Sequence, residues 1–146
     1  MGYNARNNPL TARTGTFASV ATNSSSMQPV FSPAGAGQII NARFINGATS
    51  SVASGTTAGS AMNVYVYKTA SDTAASAVAS ARLAVVATLG TATLTMGTST
   101  ALTRFTDGDV YAAELIGGAG NNRNNAGATV QVAYMYAHAA TDDTTI

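Results

Sequence analysis

What constrains this chain most is a set of segments whose larger side chains alternate with period two. ATVQVAYMYAH, residues 128–138, sets Val130, Val132, Tyr134 and Tyr136 against Thr129, Gln131, Ala133 and Met135. AMNVYVYK sets Met62, Val64 and Val66 against Asn63, Tyr65 and Tyr67, and QIINARFIN sets Ile40, Ala42 and Phe44 against Asn41 and Arg43. VYAAELI carries Tyr111, Ala113 and Leu115 on one side. Successive side chains of a strand point to opposite faces, so each segment reads as a strand with at least one buried face. The faces of Val130, Val132, Tyr134 and Tyr136, of Met62, Val64 and Val66, and of Ile40, Ala42 and Phe44 are expected to meet as the core of two packed sheets.

The remaining segments are read from turn residues and β-branching. TGTFASVAT, residues 14–22, suits a strand anchored by Phe17 and Val20. Residues 23–37, with Pro29, Pro33, Gly35 and Gly37, read as a loop holding a short edge strand at Gln28 to Phe31. Residues 47–60 are almost wholly Gly, Ala, Ser and Thr and read as a loop crossing between sheets. Ser71-Asp72 could cap a helix through the alanine-rich run that follows, but the alternation of Leu83, Val85, Ala87 and Leu89 favours a loop or short turn to Ser80 and a strand over 81–88. ATLTM and TALTRF read as two strands joined around Gly97, 106–109 as a turn, and 117–127 as an exposed loop. The sum, roughly seven to nine strands and no long helix, is the signature of an all-β sandwich or barrel.

The 146 residues suffice for one core. There is no cysteine, which removes disulfides, thiolate metal sites and cysteine nucleophiles. Charged residues make up 9% of the chain and the net charge is +1. Six arginines and one lysine without a basic run do not make the footprint that phosphate-backbone binding needs, so nucleic acid is not an expected partner. No apolar run reaches the ~18 residues of a membrane span, and MGYNARNNPLTAR has no apolar signal-peptide region, so no membrane is expected. A surface of Thr, Ser, Asn and Ala in place of Lys and Glu suits a protein packed against neighbours.

The inventory for catalysis is thin: one histidine, His138, one glutamate and five aspartates, two of them in the terminal tail. No nucleophile elbow, zinc-protease helix, P-loop or complete dinucleotide-binding glycine motif is present. Asp107 and Asp109 fall short of the six to eight or so oxygens a calcium ion takes, and read as a turn before a strand. The chain is therefore expected to be no enzyme and to carry no cofactor and no metal. Two places suit recognition. In the loop cluster Asn121, Asn122, Arg123, Asn124 and Asn125, amides and a guanidinium can hydrogen-bond a partner or ligand. Residues 1–13 have no apolar period, and with Tyr3, Arg6 and Arg13 as anchors they read as an extended N-terminal arm lying on a neighbour. The sandwich is expected over 14–138 and a polar tail over 139–146.

Read as one unit, FTDGDVYAAEL, a glycine-rich loop and ATVQVAYMY resemble the closing strands of small jelly rolls, among them the decoration or cement proteins of tailed-bacteriophage heads and, more distantly, the trimeric C1q and tumour-necrosis-factor-like domains. The resemblance implies a jelly-roll-like antiparallel β-sandwich. It further implies a virion protein on the capsid surface that binds the major capsid protein, bridges neighbouring subunits and assembles as a homotrimer. A carbohydrate- or receptor-binding module of a phage fibre is the alternative, with Tyr65, Tyr67 and Tyr111 as candidate stacking residues. A lipocalin-like or hydrolytic barrel is disfavoured by the missing catalytic groups.

Overall fold

The structure is a computed structural model that describes residues 9–18, 20, 24–47, 62–69, 73–83, 86, 89–117 and 127–137. It is an antiparallel β-sandwich. One sheet contains β1 (Leu10–Arg13), β3 (Gly37–Ile45), β6 (Thr91–Thr93), β8 (Arg104–Phe105) and β10 (Thr129–Tyr136), in the order β1-β10-β3-β6 with β8 also on β3. The other contains β2 (Ser25–Phe31), β4 (Asn63–Tyr67), β5 (Ala79–Arg82), β7 (Thr95–Met96) and β9 (Tyr111–Ile116), in the order β2-β9-β4-β5-β7. Of the consecutive strand pairs, only β4 and β5 lie in the same sheet; every other connection takes the chain across the sandwich.

The strands read from alternation form where the period placed them. Val64, Val66, Ala113, Leu115, Val130 and Val132 are all wholly buried, each belonging to the face that faces the other sheet. The edge strand expected over Gln28 to Phe31 is longer, running Ser25–Phe31 as β2. Pro29 lacks a donor for a ladder, and β2 lies accordingly at a sheet edge, with a register shift between Pro29 and Phe31 that leaves both Val30 and Phe31 buried. Phe31 then joins Phe105 and Tyr134 of the opposite sheet, at ring-centroid separations of 5.2 and 4.0 Å, and closes one end of the core with aromatic contacts.

Several sequence expectations need correction. Ile40 is not a core residue: Ile39 is 1% exposed and Ile40 40%. The cause is a bulge, since Ala133 pairs with Asn41 and Tyr134 with Ile39, leaving Ile40 without a partner on β10. The Asn41 carboxamide oxygen accepts the Ala42 N–H at 2.8 Å and thereby satisfies a donor at the irregularity. Tyr136, at the strand end, is 37% exposed. If the bulge sets the register, Ile39→Ala should cost about 3 kcal/mol, whereas Ile40→Ala should change stability by no more than about 0.5 kcal/mol. Urea melts of the two variants measure the difference, and equal losses would refute this register.

The first strand is Leu10–Arg13, paired with β10, so the chain joins the sandwich within the stretch read as arm. Thr14 to Ala18 is not a ladder strand but an extended continuation, tied by Thr14 N–H to Val130 O and Phe17 N–H to Ala128 O, with Phe17 and Val20 buried as anchors. Of the strand expected over 81–88, Ala81 and Arg82 end β5, which starts at Ala79 after a 3-10 turn at Ala74–Ser76, while residues 84, 85, 87 and 88 lie outside the described residues. The expected strand TALTRF is mostly a helical turn, α1 (Thr100–Thr103), followed by the two residues of β8. ATLTM is divided between the sheets: buried Leu94 donates its N–H to Ala42 O and separates β6 from β7.

Candidate functional site

Most polar groups with geometry suited to chemistry are engaged in holding one end of the sandwich. Lys68, just after β4, donates from Nζ to the carbonyl oxygens of Ala101 and Arg104 at 3.1 and 2.8 Å, and pairs with the Asp109 carboxylate at 3.3 Å. The same Asp109 oxygen accepts the Thr106 N–H at 2.8 Å. Tyr111, buried at the start of β9, donates to Leu102 O at 3.0 Å, with Arg104 O a second acceptor at 3.2 Å. The side chains thus satisfy carbonyls around α1, where the helical turn leaves backbone acceptors unpaired. Burial, and after it the Asp109 charge, raises the Tyr111 hydroxyl well above the ordinary phenol range, so it stays a donor at any physiological pH.

Asp109 titrates in the opposite direction. The Thr106 N–H, opposed by burial and assisted by Lys68, holds its carboxyl below the ordinary aspartate value. A folded-state pKa below the unfolded one contributes stability that is present above the ordinary carboxylate range and lost as pH falls through the folded value. Asp109→Asn should therefore melt below the wild type near neutral pH, by about 1 kcal/mol or less. The gap should close at strongly acidic pH. A gap that stays constant with pH, measured by thermal melts, would show that the carboxylate charge contributes nothing.

Of the residues singled out in the sequence, Arg13 ends β1 and is exposed. Tyr3, Arg6, the cluster Asn121, Asn122, Arg123, Asn124 and Asn125, and His138 lie outside the described residues. Asp107 is exposed in the turn before β9. Tyr65 and Tyr67 stack on each other at 5.7 Å; Tyr67 is buried, and Tyr111 is buried with its hydroxyl engaged, so neither of these two is an open platform for a sugar, while Tyr65 is half-buried. Among the described residues no three His, Asp or Glu side chains come together as metal ligands, and no helix is long and apolar enough to cross a membrane.

What the fold assembles is a face. Directly opposed residues of antiparallel strands share a side of the sheet. On the outer side of the first sheet Arg13 pairs with Gln131, Gln131 with Arg43 and Arg43 with Thr93, one row across four strands. Thr11, Ala133 and Asn41 form the next row, and Met135, Gln38 and Arg104 another. Arg13, Arg43 and Arg104 are exposed, and none makes an ion pair among the described residues. No described Asp or Glu lies in these rows. Near Arg104 the face dips into an open cleft of about 540 Å³, where Ile40, Met135 and Tyr136 supply apolar surface beside Gln38 and Arg104. The outer side of the second sheet differs: Glu114 sits in a row with Met27, Tyr65, Ser80 and Thr95, and Arg82 in the neighbouring row with Asn63.

Of this face, sequence reasoning named Arg13 as an anchor and turned Arg43 outward, but did not bring them together. The signal present was the alternation in QIINARFIN; the missing information was which strand lies beside it. The fold and the face define an all-β sandwich with a cationic, amide-rich outer sheet. No protein-family model, no curated protein and no solved structure matches the chain.

Proposed function

We propose that the chain is a non-catalytic structural protein of a virion, a jelly roll that attaches to the outside of a bacteriophage capsid and stabilises it by bridging neighbouring subunits. The observation that carries this reading is the strand order. Sheet β1-β10-β3-β6 faces sheet β2-β9-β4-β5, with the chain passing from one to the other at every step except β4 to β5. Two Greek keys wound together produce that alternation, with β7 and β8 as additions at the margins, and this supports the jelly-roll reading.

Fold does not by itself determine function, so the second support is the fate of the polar groups. Lys68, Asp109 and Tyr111, the densest ionisable cluster described, are engaged in structural bonds, whereas the exposed arginines present a surface to a partner. The proposed partners are the major capsid protein and further copies of this chain as a homotrimer, with no cofactor, no nucleic acid and no membrane. The residues before β1 and the loop of Asn121 to Asn125 would add further contacts with a partner.

The test is the particle itself. Purified virions of the virus that encodes the chain should contain it, and cryo-electron microscopy should place a sandwich of this size on the capsid exterior. Particles assembled without it should release their genome at a lower temperature. Absence of the chain from purified virions, by mass spectrometry, would refute the reading.

A further inference from the structure

We infer that the outer face of the first sheet is the docking surface and that what docks on it is an acidic protein surface, whose carboxylates are gripped by Arg13, Arg43 and Arg104. The identity of the partner as a capsid subunit rests on the function proposed above; its acidic chemistry rests on the face alone.

The argument begins with charge. Only 9% of the residues of this chain are charged, yet three of its seven cations fall on one side of one sheet, exposed and without ion pairs among the described residues. With strands about 4.8 Å apart, the Cα atoms of Arg13 and Arg43 lie roughly 10 Å from each other across β10; Arg104 lies about five residues along β3, roughly 16 Å away. Such spacing matches separate carboxylates on a folded surface, each taken bidentately by a guanidinium. It matches a nucleic acid poorly, since a duplex carries one charge per about 1.7 Å and is met by denser basic patches.

The rest of the face has the make-up of an interface. Gln38, Asn41 and Gln131 add donors and acceptors between the arginines, and no described lysine, aspartate or glutamate interrupts them. The bulge holds Ile40 out of the core, and with Met135 and Tyr136 it forms an apolar anchor beside Arg104 in the cleft. Arginine, methionine and tyrosine are the types enriched where proteins meet. The strands of this face are unequal, with four residues in β1, eight in β10, nine in β3, three in β6 and two in β8; at about 4.8 by 3.3 Å per residue they cover about 400 Å². That is about half of the ~800 Å² per partner of a stable interface. A second copy docking face to face would set arginines against arginines with no carboxylate between them, which excludes this sheet as its own partner.

The test uses the full chain, with Arg43→Glu and Arg104→Glu as variants and Ser25→Glu/Thr95→Glu, exposed on the other sheet, as a control of equal net charge. Unchanged melting curves establish that all are folded. The probes are capsids freed of the chain, poly-L-glutamate and duplex DNA. The expected result is binding to capsids and to poly-L-glutamate that weakens at least about ten-fold in each arginine variant. The control should be unaffected, and added salt should weaken binding. Capsid binding that survives both arginine variants overturns the docking face while leaving the proposed function intact. A wild type that ignores capsids but takes poly-L-glutamate through the same arginines overturns the function and leaves the acidic-surface inference standing. Equal losses in the control, or tighter arginine-dependent binding to DNA than to poly-L-glutamate, overturn the inference.

Discussion

Val132→Asp is expected to abolish the cooperative thermal transition, while Gln131→Glu, one residue earlier in the same strand, leaves it in place. Val132 is wholly buried and pairs with Ala42 of β3 on one side and Ala12 of β1 on the other, all facing the second sheet. A carboxylate there has no cation within its face and must either be protonated or drag water into the core. Losses of about 4 kcal/mol or more follow from burying an unpaired charge, a large part of the ~5–15 kcal/mol that holds a domain of this kind folded. Gln131 points the other way and lies between Arg13 and Arg43, so a carboxylate at 131 gains two guanidinium neighbours across the strands. Its effect should be neutral or slightly stabilising, on the order of 0.5 kcal/mol. Circular dichroism melts of the two variants test the facing of β10 directly, and a normal melt for Val132→Asp would show that the strand faces the other way.

The second large effect is expected at Gly37, where the smallest possible change meets an unyielding neighbour. A Cβ built there falls on the Met135 carbonyl oxygen and on the ring of Phe105. The carbonyl belongs to the β10 ladder, and Phe105, 2% exposed, is packed edge-on against Phe31, so neither can retreat without opening the sandwich. Gly37→Ala should cost about 3 kcal/mol, which for a chain of this length lowers the melting temperature by roughly 10 °C. Gly108 makes the instructive comparison. Its φ of +88° places it in the left-handed region, but nothing lies within 4 Å of its Cβ position. Gly108→Ala therefore carries only the backbone penalty of about 1 kcal/mol. If Gly37→Ala proved no worse than Gly108→Ala, the close approach of β3, β8 and β10 would be wrong.

These two expectations also mark where sequence and structure part. The residues of β4, β9 and β10 and their buried faces were legible from alternation, because a half-buried strand has no other way to divide large from small side chains. The same logic failed at Ile39-Ile40, since two identical apolar residues carry no information about which one turns inward; a bulge opposite β10 decided it. TALTRF was misread as a strand because β-branched threonines suit either state in so short a segment, and the carbonyls of Leu102 and Arg104 find Tyr111 and Lys68 only once β4 and β9 lie beside them. Edge position was readable at Pro29, whose missing donor forbids a central strand.

Fold class, all-β without disulfides, was already written in the order of the residues, because period, turn residues and composition are local properties. So was the small number of charges with which this chain can recognise anything. That Arg13, Arg43 and Arg104, separated by up to ninety or so positions in the chain, share one unbroken outer face emerged from the folded arrangement alone, because strand neighbours are set by packing and register across the sandwich and not by spacing along the chain.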